Sequence, residues 1–136
     1  MKTKTPRSYR RKVKRILSGV RSRYNIKGIF TEADFYRICK TENIILCKSE
    51  RLREISKQMP EIEGIRFASI SGRAFIYLKS FFEGEFDVFV AFHELGHHFC
   101  GHKGMTNLMT YSPNSRKEQE ANYFAELATG KREVLK

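Results

Sequence analysis

Residues 88–99, VFVAFHELGHHF, constrain the fold more than any other stretch of the chain. Val88, Phe89, Val90, Ala91, Phe92, Leu95 and Phe99 make this helix apolar on nearly every side, and such a helix belongs in a core. Yet it carries His93, Glu94 and His97, whose polar atoms cost free energy when buried without partners. The rest of the chain must therefore wrap this helix and also supply polar partners to three of its residues.

His93 and His97 are four apart, so they lie on one face, one turn above the other. Two imidazoles so placed can share one ion, and Zn²⁺ accepts neutral histidine nitrogen. Glu94 is offset by about 100° from His93. It flanks the ion, where it can take a proton from a water and return it to a leaving amine. H-E-x-x-H is the pattern of a zinc peptidase helix. The same pattern also arises by chance on solvated helices, and the apolar flanks argue against that here. The longer H-E-x-x-H-x-x-G-x-x-H pattern is absent, because Cys100 and Lys103 stand at its Gly and His positions. If the helix continues, His98 and His102 point about 100° and about 140° away from His97. They are expected as an exposed or packing pair, and Cys100 as a small core hydrophobe.

A third ligand is sought further on, in Glu118-Gln119-Glu120-Ala121-Asn122-Tyr123-Phe124-Ala125. The spacing predicts a helix that buries Ala121, Phe124, Ala125 and Ala128. Glu118 and Asn122 share a face of it. Glu118 is the favoured third ligand, and Asn122 is placed to orient a ligand histidine through its other ring nitrogen. Glu120, about 160° from Asn122, is the weaker candidate and is not expected to share Asn122's role. A competing account makes Ser115 to Glu118 a capping box. It weakens if the helix starts earlier, with Ser112 as N-cap and Pro113 at the first position.

The two motifs together resemble the ImmA/IrrE family of metallo-endopeptidases. The resemblance lies in VFVAFHELGHHF, in the downstream EQEANYFA and, more loosely, in the preceding stretch that ends FIYLK; it covers about residues 28–128. It implies a zincin-like minimal metallopeptidase domain of α+β class, with a small sheet packed on helices. It also implies zinc held by His93, His97 and Glu118, and Glu94 as general base. Members are cytoplasmic, often belong to phages and mobile elements, and typically cleave helix-turn-helix repressors encoded nearby. After the second motif the chain departs from the family's pattern: Glu126-Leu127-Ala128-Thr129-Gly130-Lys131 stands where members usually carry a Leu-Met-Pro segment. The alternative from another class is a zinc-containing regulator that cleaves nothing and binds DNA or a protein partner.

Charge is the second informative feature. Lys and Arg number 26 against 15 Asp and Glu, a formal +11. Residues 1–28 hold eleven of those cations and no acid, so residues 29–136 balance at fifteen of each sign. The division expected is therefore a basic N-terminal helix or extension, 1–28, and a metallopeptidase-like domain, 29–136. Val13, Ile16, Leu17, Val20 and Tyr24 form an amphipathic stripe that should pack on the body. The outward cations, Arg10, Arg11, Lys14 and Arg15 among them, admit three readings: a solvated face, a nucleic-acid contact, or a surface for an acidic protein.

Elsewhere the punctuation is local. Thr31 and Asp34 predict a helix start, with Phe30 and Phe35 at the staple positions. That helix should run to about Thr41 and be followed by a short buried strand at 44–47. Ser49 should cap a further helix, 50–58, ended by Pro60. Residues 64–79 read as a hairpin turning at Ser71-Gly72. The strand that leads into the zinc helix could offer a free edge to an extended substrate, or be a plain core strand. Residues 103–114, with Met105, Leu108, Met109 and Tyr111, are apolar enough to wall or cover the cleft. Tyr111 is a candidate donor to an oxyanion. Cys39, Cys47 and Cys100 are odd in number and form no C-x-x-C, as expected of reduced thiols in a cytoplasmic protein. No apolar run approaches membrane-spanning length, and no signal-peptide core is present.

Overall fold

The computed structural model describes residues 5–58, 63–68, 71–102 and 115–131. In chain order the elements are α1 (Arg7–Tyr24), α2 (Glu32–Thr41), β1 (Ile45–Leu46), α3 (Glu50–Gln58), β2 (Gly64–Ala68), β3 (Ala74–Leu78), a short 3-10 turn Lys79–Phe81, α4 (Val88–Phe99) and α5 (Arg116–Thr129). The class is α+β, a small zincin-like domain.

The apolar stripes do what their periods require. Val13, Leu17, Val20 and Tyr24 of α1 enter the same core as Phe35, Ile38 and Cys39 of α2 and Phe124, Ala125 and Ala128 of α5. At its centre are Ala91, Phe92 and Leu95 of α4, all fully buried. Segment 1–28 thus contributes α1 directly to the core of the body. Tyr24 ties it down further, its hydroxyl donating to Glu42 Oε2 at 2.8 Å while Arg23 pairs with the same oxygen at 2.9 Å.

At the start of α2 the capping box is complete. Thr31 accepts from the Asp34 backbone N–H, and Asp34 Oδ2 accepts from the Thr31 N–H at 2.9 Å. Phe30 and Phe35 flank the cap and both pack edge-on against Phe92 of α4. The helix start is thereby fixed to the core helix. Thr31→Ala should cost about 1 kcal/mol of stability, read as a lower urea midpoint at unchanged slope. An unchanged midpoint would show that the Phe30–Phe92–Phe35 contacts hold the helix start without the cap.

The sheet is mixed, in the order β1-β3-β2. β1 runs parallel to β3, and β2 pairs antiparallel with it, Arg66 opposite Ile76. The strand before α4 is therefore central, the core-strand alternative of the two that the sequence offers, and among the described residues the outer strands are β1 and β2. The order has a simple cause. α2 packs on α4 and β1 packs on α2, so β1 adds to the side of β3 that β2 leaves open. One face of the sheet, with Ile76 and Leu78, joins the main core. The other, with Ile65 and Tyr77, gathers Leu52, Phe67 and Phe82 in a smaller cluster. Phe67 and Phe75 stack across the strand pair at 5.0 Å.

All three cysteines are free. Burial pushes the Cys39 and Cys100 thiols up to about 12, so both stay protonated at neutral pH. Among the described residues no helix is long and apolar enough to cross a membrane. Met105, Leu108, Met109, Tyr111, Ser112 and Pro113 lie outside the described residues, as does Pro60.

Candidate active site

The site forms where α4 and α5 pack face to face, and Gly96 sets how closely they do so. A Cβ there would stand 3.0 Å from the Ala121 carbonyl oxygen and 3.1 Å from the Ala121 Cα. These are backbone atoms that cannot step aside, so only glycine admits this approach. It brings the Glu118–Asn122 face of α5 onto the His93–His97 face of α4.

His93 Nε2 lies 3.1 Å from Glu118 Oε2, and His97 Nε2 lies 3.1 Å from Glu118 Oε1. The two Nε2 atoms are 3.2 Å apart. The other ring nitrogens face away. His93 Nδ1 meets Asn122 Oδ1 at 2.7 Å, and His97 Nδ1 meets His102 Nδ1 at 2.7 Å. His93, Glu94, His97 and Glu118 are all buried, none more than 4% exposed.

The proton count shows what this cage can hold. Asn122 Oδ1 only accepts, so His93 Nδ1 carries a hydrogen. Burial disfavours a charge on His93, but the bond to Glu118 and the charges of Glu94 and Glu118 outweigh it and push the group up to about 9. His97 goes the other way, down to about 4, through burial and then the neighbouring His93 charge. Glu118 is held near 2, because its close contacts with both histidines outweigh the opposing effect of burial. Two chemically alike imidazoles thus differ because the cage has room for one positive charge. Glu118 Oε1, close to His97 Nε2, makes no hydrogen bond among the described residues. A carboxylate oxygen and an imidazole lone pair facing at that distance call for a cation between them. Two neutral imidazole nitrogens and one carboxylate are the donor set of a catalytic divalent-metal site, and their donor atoms lie within 4.8 Å of one another. These residues fit a metal ion.

α5 begins at Ser115, not at Ser112. The Ser115 hydroxyl takes the Glu118 backbone N–H. Only the Ser115 half of the capping box forms, because the Glu118 carboxylate faces His93 and His97 instead of the Ser115 N–H.

Two sequence expectations are corrected here. His98 and His102, expected as an exposed or packing pair, are neither exposed nor idle, since each meets a carboxylate. His98 Nε2 faces Glu42 Oε1 at 3.2 Å. His102 is 6% exposed and bridges His97 to Glu120, its Nε2 lying 2.8 Å from Glu120 Oε1. Glu120 lies behind His97 much as Asn122 lies behind His93, with His102 in between. Its own charge is stabilised by Lys12 of α1 at 3.0 Å and Arg116 at 3.0 Å. His102 does not lie on the wheel of α4 because the helix stops before it. Cys100 ends it, and Gly101 takes φ +76°. The Gly101 N–H then bonds the His98 carbonyl, and the His102 N–H bonds the His97 carbonyl, a Schellman stop that folds residue 102 back over residue 97. The Gly101 immediately after the apolar run was the signal available in the sequence. Arg66 was also missed. Its Nη1 donates to the His102 carbonyl at 2.9 Å and pins this turn to β2.

A family model described as Peptidase_M78, IrrE N-terminal-like domain, matches residues 47–130, more than half of the chain. No curated protein and no solved structure matches it.

Proposed function

The chain belongs to the Peptidase_M78 family of IrrE N-terminal-like domains, a family of metallopeptidases, and from that premise we propose that it is a zinc-dependent endopeptidase. The observation that carries this is the convergence of His93 Nε2, His97 Nε2 and Glu118 on one point, with Glu94 next to it in the chain. When bound, the ion supplies Lewis acidity for the scissile carbonyl and acidity for the attacking water. The chain's own residues do the rest. Asn122 fixes the His93 ring, and the packed, apolar surround of α4 limits access of bulk water. Glu94 takes a proton from the attacking water on a carboxylate oxygen and delivers it to the amine nitrogen as the peptide bond breaks. β2 pairs on one side only among the described residues, and its outer edge suits an extended substrate strand. Tyr111 remains a candidate oxyanion donor from outside the described residues.

The substrate class we favour is a cytoplasmic regulatory protein, a helix-turn-helix repressor, which rests on the ImmA/IrrE resemblance. The test is incubation of the zinc-loaded protein with repressors encoded beside its gene. Cleavage at a single site, lost on chelation and regained with zinc, supports the reading. A metal-loaded protein that leaves each of them intact overturns the substrate assignment.

A second activity is favoured by one observation. Arg11, Lys14 and Arg15 are exposed on the outer side of α1, and Arg10 half-exposed, while the apolar side of the helix is committed to the core. We propose that this face contacts nucleic acid, so that the protein works as a regulator even apart from cleavage. Binding should weaken with salt at a log–log slope of about −0.9 per phosphate neutralised on duplex DNA. Reversing Arg10, Arg11, Lys14 and Arg15 to Glu should abolish binding and spare the fold. No binding at low salt returns this face to a solvated surface.

A further inference from the structure

With His102 neutral, the contacts behind His97 form a chain whose hydrogens can be placed in one way only. Glu120 is ionised and accepts, so His102 Nε2 carries a hydrogen and donates to it at 2.8 Å. His102 Nδ1 is then a lone pair, since a neutral imidazole carries one hydrogen. Facing it at 2.7 Å, His97 Nδ1 must be the donor. That leaves His97 Nε2 with its lone pair aimed at Glu118 and His93.

From this we infer that His102 and Glu120 are positioning residues for the metal centre: they lock His97 in the tautomer that presents Nε2 to the ion. The inference rests on the metal reading given above. It assigns His97 a partner as Asn122 serves His93, with a second imidazole inserted before the carboxylate. A carboxylate that orients a ligand histidine also makes it a better donor, and the inserted imidazole carries that polarisation over a longer reach. Lys12 Nζ, which also reaches the Cys100 carbonyl at 3.4 Å, and Arg116 keep Glu120 ionised. The basic helix α1 thus supports the centre from behind, although α1 lies outside the residues matched by the family model.

A competing use of the same residues is a second metal site. Cys100, His102 and Glu120 also bring donor atoms within 4.8 Å of one another. The Lys12 ammonium already sits on Glu120 there, and the Cys100 thiol is protonated, which speaks against it.

The experiment uses the full chain with zinc alone and reads metal affinity by chelator competition, with no substrate. His102→Leu keeps the volume but neither accepts nor donates, and should weaken zinc binding by about 10- to 100-fold. His102→Gln should bind within a few-fold of wild type, because its amide oxygen can accept from His97 and its amide N–H can donate to Glu120. A merely structural His102 would not distinguish the two in this order. Wild type needs no variant: with four histidines in the chain, long-range ¹H–¹⁵N spectra of the zinc-loaded protein should show His102 protonated on Nε2 only. His102 protonated on Nδ1, or His102→Leu binding zinc as tightly as wild type, overturns the inference and leaves the metal reading standing. Two zinc ions per wild-type chain, one lost in Cys100→Ser, also overturns it. A wild type that binds no zinc removes both.

Discussion

Glu94→Gln is expected to reduce cleavage by about 10²- to 10⁴-fold, the usual contribution of a positioned proton carrier, and to leave the metal content at the wild-type level. Glu94 lies at 2% exposure between the two histidines in sequence, and its charge acts on His93. Gln has the same shape but loses the charge and with it the ability to take a proton. The ligand atoms lie on other residues, so the cage stays intact. Three readings separate in one comparison of single-turnover rate and zinc content. A slow variant that retains zinc supports Glu94 as the base. A variant that cleaves as fast as wild type removes it from that role. A variant that loses zinc would show that the carboxylate belongs to the ion's own surroundings, and the loss of activity would then say nothing about proton transfer.

The parts of this site that were legible in the sequence are those that depend on one helix at a time. The positions four apart, His93 with His97 and Glu118 with Asn122, fall on common faces whatever surrounds them, and the structure brings the two faces together across Gly96. Apolar periodicity likewise marked α1, α2, α4 and α5, because each buries one stripe against the same core. The capping box at Thr31 is a local pattern and was readable as such.

What escaped depends on where elements end and on what lies opposite them. His102 was placed by extending a helix that Gly101 terminates. A wheel drawn past the true C-cap assigns a direction that the chain never adopts. Glu120 was dismissed because Asn122 was taken as the reference, although a second histidine, on the far side of the cage, also needs a partner. Lys12 is one cation among eleven in residues 1–28, and nothing local marks it as the partner of Glu120. It becomes so because α1 crosses α5 where Glu120 is buried. Strand order was equally hidden. That β1 joins β3 in parallel follows from where α2 packs on α4, a tertiary fact with no periodic trace.

Glu118→Ala should abolish stable zinc binding, a larger loss than the about 10- to 100-fold expected when an orienting partner is removed. Glu118 is the sole anion of the trio and the only one of the three supplied by α5, so without it the ion's charge would face two neutral imidazoles in a buried cage. The fold should survive. The helices α4 and α5 still pack across Gly96 and through the shared apolar core, and without that carboxylate His93 has less reason to hold a second proton. Thermal unfolding with and without zinc makes the comparison. An ion that binds only the folded chain adds about 4 kcal/mol of stability at a thousandfold excess over its dissociation constant. The wild-type transition should therefore move up with zinc, while that of Glu118→Ala should stay where it is. Glu120→Ala should move up by less than wild type but should still move, because it acts on the ion through His102 and His97 rather than by contact. If instead Glu120→Ala is the variant that no longer responds and Glu118→Ala responds normally, the ion sits on the other side of His97, and the assignment of ligand and positioning carboxylate must be exchanged.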